Sequence, residues 1–151
     1  MEDLMDRILR LLTWPAALYI AGILLWYEQY KLSGADGSVF LFTVLSDWLF
    51  IHGHEKAFRL TVATAEIIAA VLVVWPRSRM FGAGLALGIM SGAIFFHTVS
   101  PLGIDPYGDG GQLFKEACEV WLLSLFILFV YRAELRSLVQ RIAHHRAFAW
   151  S

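Results

Sequence analysis

TVATAEIIAAVLVVW, residues 61–75, is apolar on nearly every side of a helix, yet it holds a carboxylate, Glu66, near its centre. A helix at a water-facing surface keeps a continuous polar side, and one that is apolar all round lies in a large core or in lipid. The run belongs to a block, Leu60–Trp75, and three more blocks share its character: Leu11–Tyr27, Met80–Phe96 and Ala117–Tyr131. Each falls a little short of the ~20 residues that cross a hydrocarbon core, and amphipathic flanks extend each of them. Hydrophobic residues make up 58% of the 151-residue chain, above the roughly 45–50% of a soluble domain. The expected fold class is all-α: a four-helix transmembrane bundle with spans at about 11–30, 59–75, 80–97 and 115–131. A soluble helical bundle is the alternative, and the absence of a polar face argues against it.

Residues 32–37 read as a turn, and SVFLFTVLSDWLFI, residues 38–51, as a short interfacial or re-entrant helix carrying one charge, Asp47. Pro15 is expected at the membrane entry of the first span, where a missing N–H is tolerated or kinks the helix. The loop Pro76–Arg79 is so short that the spans on either side must be antiparallel neighbours. Residues 98–114, rich in proline and glycine, form a loop in which Asp105 and Asp109 are turn residues. Residues 1–131 make one membrane domain. Residues 132–151 make a cytoplasmic amphipathic tail whose helix, Arg132–Arg146, sets a stripe of Leu135, Leu138, Val139 and Ile142 among arginines, as suits anionic lipid.

Arg7 and Arg10, Arg77 and Arg79, and the four arginines of the tail mark the cytoplasmic side, while 98–114 has no Lys or Arg. Both termini therefore point to the cytoplasm of, by expectation, a bacterial inner membrane, and the first block acts as an uncleaved anchor. The net charge of −1 gives no basis for a nucleic-acid partner, and the single cysteine, Cys118, excludes an internal disulfide or a dithiol pair. The histidines lack the spacing of a metal site within the spans, so no metal is expected.

This orientation gives depth to the polar residues. Glu66 lies roughly 10 Å below the outer end of its span at 1.5 Å per residue, and its neighbours Ala63, Ala69 and Ala70 leave room for another helix. Glu28 and Lys31 share a face at the outer end of the first span; His97 closes the third; Lys115, Glu116 and Glu119 open the fourth. The inner halves are expected to be almost purely apolar. A charge at mid-membrane costs ~2.5–3.5 kcal/mol or more, so these groups must pair. Two readings follow. One is a polar lock that holds the bundle together. The other is an outward-facing pocket of Glu28, Lys31, Glu66, His97, Lys115, Glu116 and Glu119, with a quinone as the candidate ligand. There Glu66 and Glu119 would handle protons, and Lys31 and His97 would orient the head group. Gly84, Gly88 and Gly92, four residues apart, form a small-residue seam onto which another helix can pack.

With GILLWYEQYKL (residues 22–32), AEIIAAVLVVWPRSR (65–79) and SGAIFFH (91–97), the chain resembles the DoxX-like family of small four-helix integral membrane proteins over most of residues 15–131. Ala69 and Ala70 depart from the pattern, where a glycine is expected. The resemblance implies a compact bundle acting as an integral subunit of a redox assembly. One branch of the family is associated with thiosulfate:quinone oxidoreduction, another with membrane complexes that handle oxidative stress. By position it singles out Lys31, Glu66 and Arg77, the last as an anchor of the short loop. The expected partners are membrane lipid, a redox partner subunit and a second copy of the chain. The rival expectation is a non-catalytic scaffold or assembly factor. Small-solute transport fits less well, because four short spans without an inverted repeat leave little room for alternating access.

Overall fold

The computed structural model describes residues 2–138 and 140. They form six helices and, among the described residues, no strand: α1 (Glu2–Ser33), α2 (Asp36–Trp48), α3 (Glu55–Val74), α4 (Arg79–Val99), α5 (Gln112–Val130) and α6 over 132–138. α1 packs on α3 and α5, and α4 packs on the same two, so the four long helices close a ring in which α1 and α4 stand on one diagonal.

The packing follows from helical spacing. Ala17, Ile20, Ala21 and Leu24 recur at three and four residues and line the inner face of α1; Ala69, Ala70 and Val73 do so on α3, Ala83, Ala86 and Met90 on α4, and Ala117, Val120 and Ile127 on α5. The alanines bring backbones close, which is how helices gain packing where lipid already satisfies apolar side chains. The tightest approach is at Gly82, where a Cβ would stand 2.6 Å from Leu72 C and Val73 Cα. The α3–α4 hairpin can close over its three-residue turn only because Gly82 has no side chain.

α1 carries the span expected at 11–30 within one helix that starts and ends close to the bounds the sequence suggests, near Asp3 and Lys31, and it runs through Pro15 without a break. It ends in a Schellman arrangement: Gly34 is left-handed at φ +70°, and the N–H of Ala35 donates to Tyr30 O at 3.1 Å. The extra short helix exists, but begins and ends earlier than residues 38–51, because Phe50 (φ +59°) and Gly53 (φ +79°) turn the chain into α3. α2 seats Leu41, Phe42 and Leu45 with Leu102 against Phe58, Phe96 and Leu113, with Phe42 edge-on to Phe58 at 5.3 Å.

α1, α3 and α4 are each long and apolar enough to cross a membrane, and Leu18, Leu25, Val71 and Phe81 lie exposed on their outer sides. These features make the chain an integral membrane protein. α5 packs as the fourth member of the ring but carries Lys115, Glu116 and Glu119 in its first turns, and it is not among the helices that length and composition qualify as spans. Of the expected tail helix, α6 covers the first turns; Val139, Arg141, Ile142 and Arg146 lie outside the described residues. An ion pair between Arg10 and Glu134 ties α6 to α1.

Candidate functional site

A cavity of about 640 Å³ lies between the four long helices at the end of the bundle where α1 finishes and α3 begins, with further wall from α2 and from Leu102 and Tyr107 of the loop after α4. Its walls are overwhelmingly apolar. Trp26, Tyr30 and Gly88 belong both to the lining and to the exposed surface, so the cavity is open on one side.

Its polar floor begins with Lys31. The ammonium donates to Glu28 Oε1 at 2.9 Å, one helical turn back on α1, and to Glu66 Oε2 at 2.5 Å on α3. All three side chains are largely buried, so the acid in the middle of residues 61–75 is paired across the bundle. The pairing does not balance: one ammonium serves two carboxylates, and Glu28 Oε2 is buried with no partner among the described residues. A buried ion cluster gains stability only when each charge is compensated.

Arg59 sets the position of Lys31. It is 5% exposed, its Nε donates to Glu55 Oε1 at 2.5 Å, and its guanidinium also donates to the Lys31 carbonyl. It thereby satisfies one of the carbonyls orphaned at the end of α1. Sequence reasoning missed this residue. The available signal was its spacing to Glu55 at i,i+4.

Glu116 joins the cavity from α5, where it accepts from Tyr27 O–H at 2.5 Å and from Gln112 Nε2 at 2.6 Å. His97 is 4% exposed. Its Nδ1 meets Gly103 O at 2.7 Å, and its ring stands edge-on to Phe114 at 5.8 Å. A carbonyl only accepts, so Nδ1 carries a hydrogen, and in the tautomer this leaves, Nε2 is the acceptor. The structure thus gathers Lys31, Glu66, Glu116 and His97 around one cavity, with Glu28 behind Lys31. It does not bring in the other two expected members. Lys115 is exposed, and Glu119 accepts from Tyr19 on an exposed face of the α1–α5 contact. The cause is the 100° turn per residue, which carries positions 115 and 119 away from the inner face held by Glu116, Ala117 and Val120.

Two other expectations change. Among the described residues, nothing beyond the helix's own nearby backbone comes within 4 Å of a Cβ at Gly84, Gly88 or Gly92, so no described helix packs on that stripe, and Gly88 and Gly92 instead form cavity wall. The glycine that a neighbouring helix needs is Gly82, two residues earlier than the stripe. Nor are the inner halves purely apolar. Arg79 is 1% exposed. It donates from Nε to Val73 O at 3.1 Å, from Nη2 to Val74 O at 3.2 Å and from Nη1 to Thr13 Oγ1 at 2.8 Å, and its guanidinium lies 4.1 Å from the centre of the Trp14 ring. It caps the negative end of the α3 dipole. Arg77 is exposed and has no such role.

The loop closes the outer end of the site. Tyr107 O–H donates to Gly37 O at 2.8 Å; burial, and then the nearby Asp109 charge, push its phenol above the ordinary range. Asp105 accepts from the N–H groups of Asp109 at 3.0 Å and Gly110 at 3.1 Å. Slight desolvation works the other way, but these N–H groups hold its carboxyl below the ordinary range. His52 bonds exposed Asp47 at 2.9 Å, outside the cavity. Compared with protein-family models, curated proteins and solved structures, the chain matches none.

Proposed function

We propose that this chain is a DoxX-like integral membrane subunit of a quinone-linked redox assembly, and that its cavity receives a lipophilic ligand of the quinone type. In this reading α5 also crosses the membrane, both termini face the cytoplasm of a bacterial cell, and the cavity opens outward. One observation carries it: an apolar cavity of about 640 Å³ has an ionisable cluster, Lys31 with Glu66, in its wall. That volume is in the roughly 300–1,000 Å³ range of small-molecule sites, and mostly apolar walls with a few convergent polar groups are their usual make-up. An apolar tail fits the wall, and a polar ring fits the floor. The test is mass spectrometry of the protein extracted in native lipid, read for quinones and partner chains together. A stoichiometric quinone, lost in Lys31→Met, is the expected result; lipid alone in the wild-type protein overturns the reading.

A second reading is favoured by the same bonds. Lys31 to Glu66 and Arg59 to Lys31 O both join α1 to α3, as a lock in a non-catalytic scaffold would. The exposed glycine stripe would then serve a second chain. In cells, Glu66→Gln retaining function while Gly84→Leu, on the stripe but outside the cavity wall, abolishes it selects this reading.

A further inference from the structure

The hydrogen-bonding groups around the cavity are strongly one-sided. The donors are spent: Tyr27 O–H on Glu116, Tyr107 O–H on Gly37 O, His97 Nδ1–H on Gly103 O, and two of the three Lys31 hydrogens on Glu28 and Glu66. The acceptors are not. His97 lines the cavity and only its Nδ1 is bonded, so Nε2 is left without a partner among the described residues. Each carboxylate oxygen of Glu66 and Glu116 that takes one hydrogen has room for a second. Formal charge leans the same way: Glu28, Glu66 and Glu116 face one ammonium, Lys31. Trp26 keeps an indole N–H, but it is mostly exposed, where water or lipid head groups can serve it. The hydroxyls of Tyr30 and Ser38 act either way and do not discriminate.

From this imbalance we infer that the cavity selects lipophiles whose head group donates hydrogen bonds, such as a phenol or the reduced, hydroxyl-bearing form of a quinone, over heads that only accept. The inference rests on the cavity being a ligand site and adds the chemical class of its ligand. A hydroxyl delivered to His97 Nε2 or to a carboxylate oxygen adds a hydrogen bond to an acceptor on the cavity wall. A bare carbonyl finds the third Lys31 hydrogen and otherwise meets acceptors, and leaving buried polar groups unpaired is what makes such sites selective. An anionic head meets excess negative charge.

The experiment uses the full chain in lipid nanodiscs with an equimolar pair, 4-octylphenol and 4-octylanisole, which differ in whether the head donates. Protein-bound compound is quantified by mass spectrometry after subtracting the amount held by protein-free nanodiscs. The expected result is about a tenfold preference for the phenol, the scale of one hydrogen bond to a charged group. That preference should shrink in Glu116→Gln, which keeps the shape of the side chain. Equal retention of both compounds overturns the donor preference and leaves the cavity as a ligand site. Retention of neither above the protein-free level removes the site, and the inference with it.

Discussion

Arg79 on α4 donates to Thr13 Oγ1 on α1 across 2.8 Å of buried space. The two helices otherwise stand on a diagonal of the ring, so this bond and the two from Arg79 to the last carbonyls of α3 gather three helices at one point. Arg79→Met should lower stability by about 2–3 kcal/mol, because it removes three buried hydrogen bonds at once and leaves Thr13 only its bond to Arg10 O. Arg79→Lys should recover only part of it, since an ammonium lacks the planar fork. Thermal unfolding in detergent measures both, and equal melting of Arg79→Met and wild type would contradict the clamp.

At the other end, Lys31→Met leaves Glu28 and Glu66 facing each other with no cation. A loss of about 3–5 kcal/mol is expected, the scale of an uncompensated buried charge. Glu66→Gln leaves one ammonium with one carboxylate and should cost far less. The order of the two melting points is the check, and the reverse order would show that the cluster is not short of positive charge.

The glycines of α4 divide by position. Gly82→Ala should destabilise by several kcal/mol, because its Cβ meets backbone 2.6 Å away, which no side-chain rotation relieves. Gly84→Ala meets nothing within 4 Å and should melt like the wild type or slightly above it, given the better helix propensity of alanine. Differential scanning of the two variants side by side decides this.

Tyr107 gives the loop a pH dependence of known sign. Its phenol pKa is raised in the fold, chiefly by burial, so the fold favours the protonated form. The stabilisation is complete below the ordinary phenol pKa of about 10 and fades as pH rises from there through the higher folded value. Amide exchange in residues 100–111 should therefore accelerate in that alkaline window relative to α4, after correction for the intrinsic rate. In Tyr107→Phe the same loop should be looser at neutral pH and show no such step.

Much of this was legible in the sequence. Apolar blocks that lack a continuous polar face announce membrane helices. The three-residue link after Trp75 forces a hairpin, and Glu28 and Lys31 share a face by spacing alone. Arg59 and Arg79 were not legible as buried residues, because an arginine near a helix end looks the same whether it faces lipid head groups or reaches inward to a carbonyl. The glycine stripe misled for a related reason: spacing places Gly84, Gly88 and Gly92 on one face but says nothing of what stands opposite that face.

The sequence by itself determined the all-α class, the long apolar helices and the presence of a carboxylate among them, since these depend on composition and on a 3.6-residue period that any helix obeys. Only the tertiary structure decided that Glu66 meets Lys31, that Glu119 and Lys115 face away, and that the acceptors of His97 and Glu116 border one cavity. Those facts depend on how far each helix is rotated about its own axis against its neighbours, a quantity fixed by alanine contacts and Gly82 across the ring, not by the order of residues along any one helix.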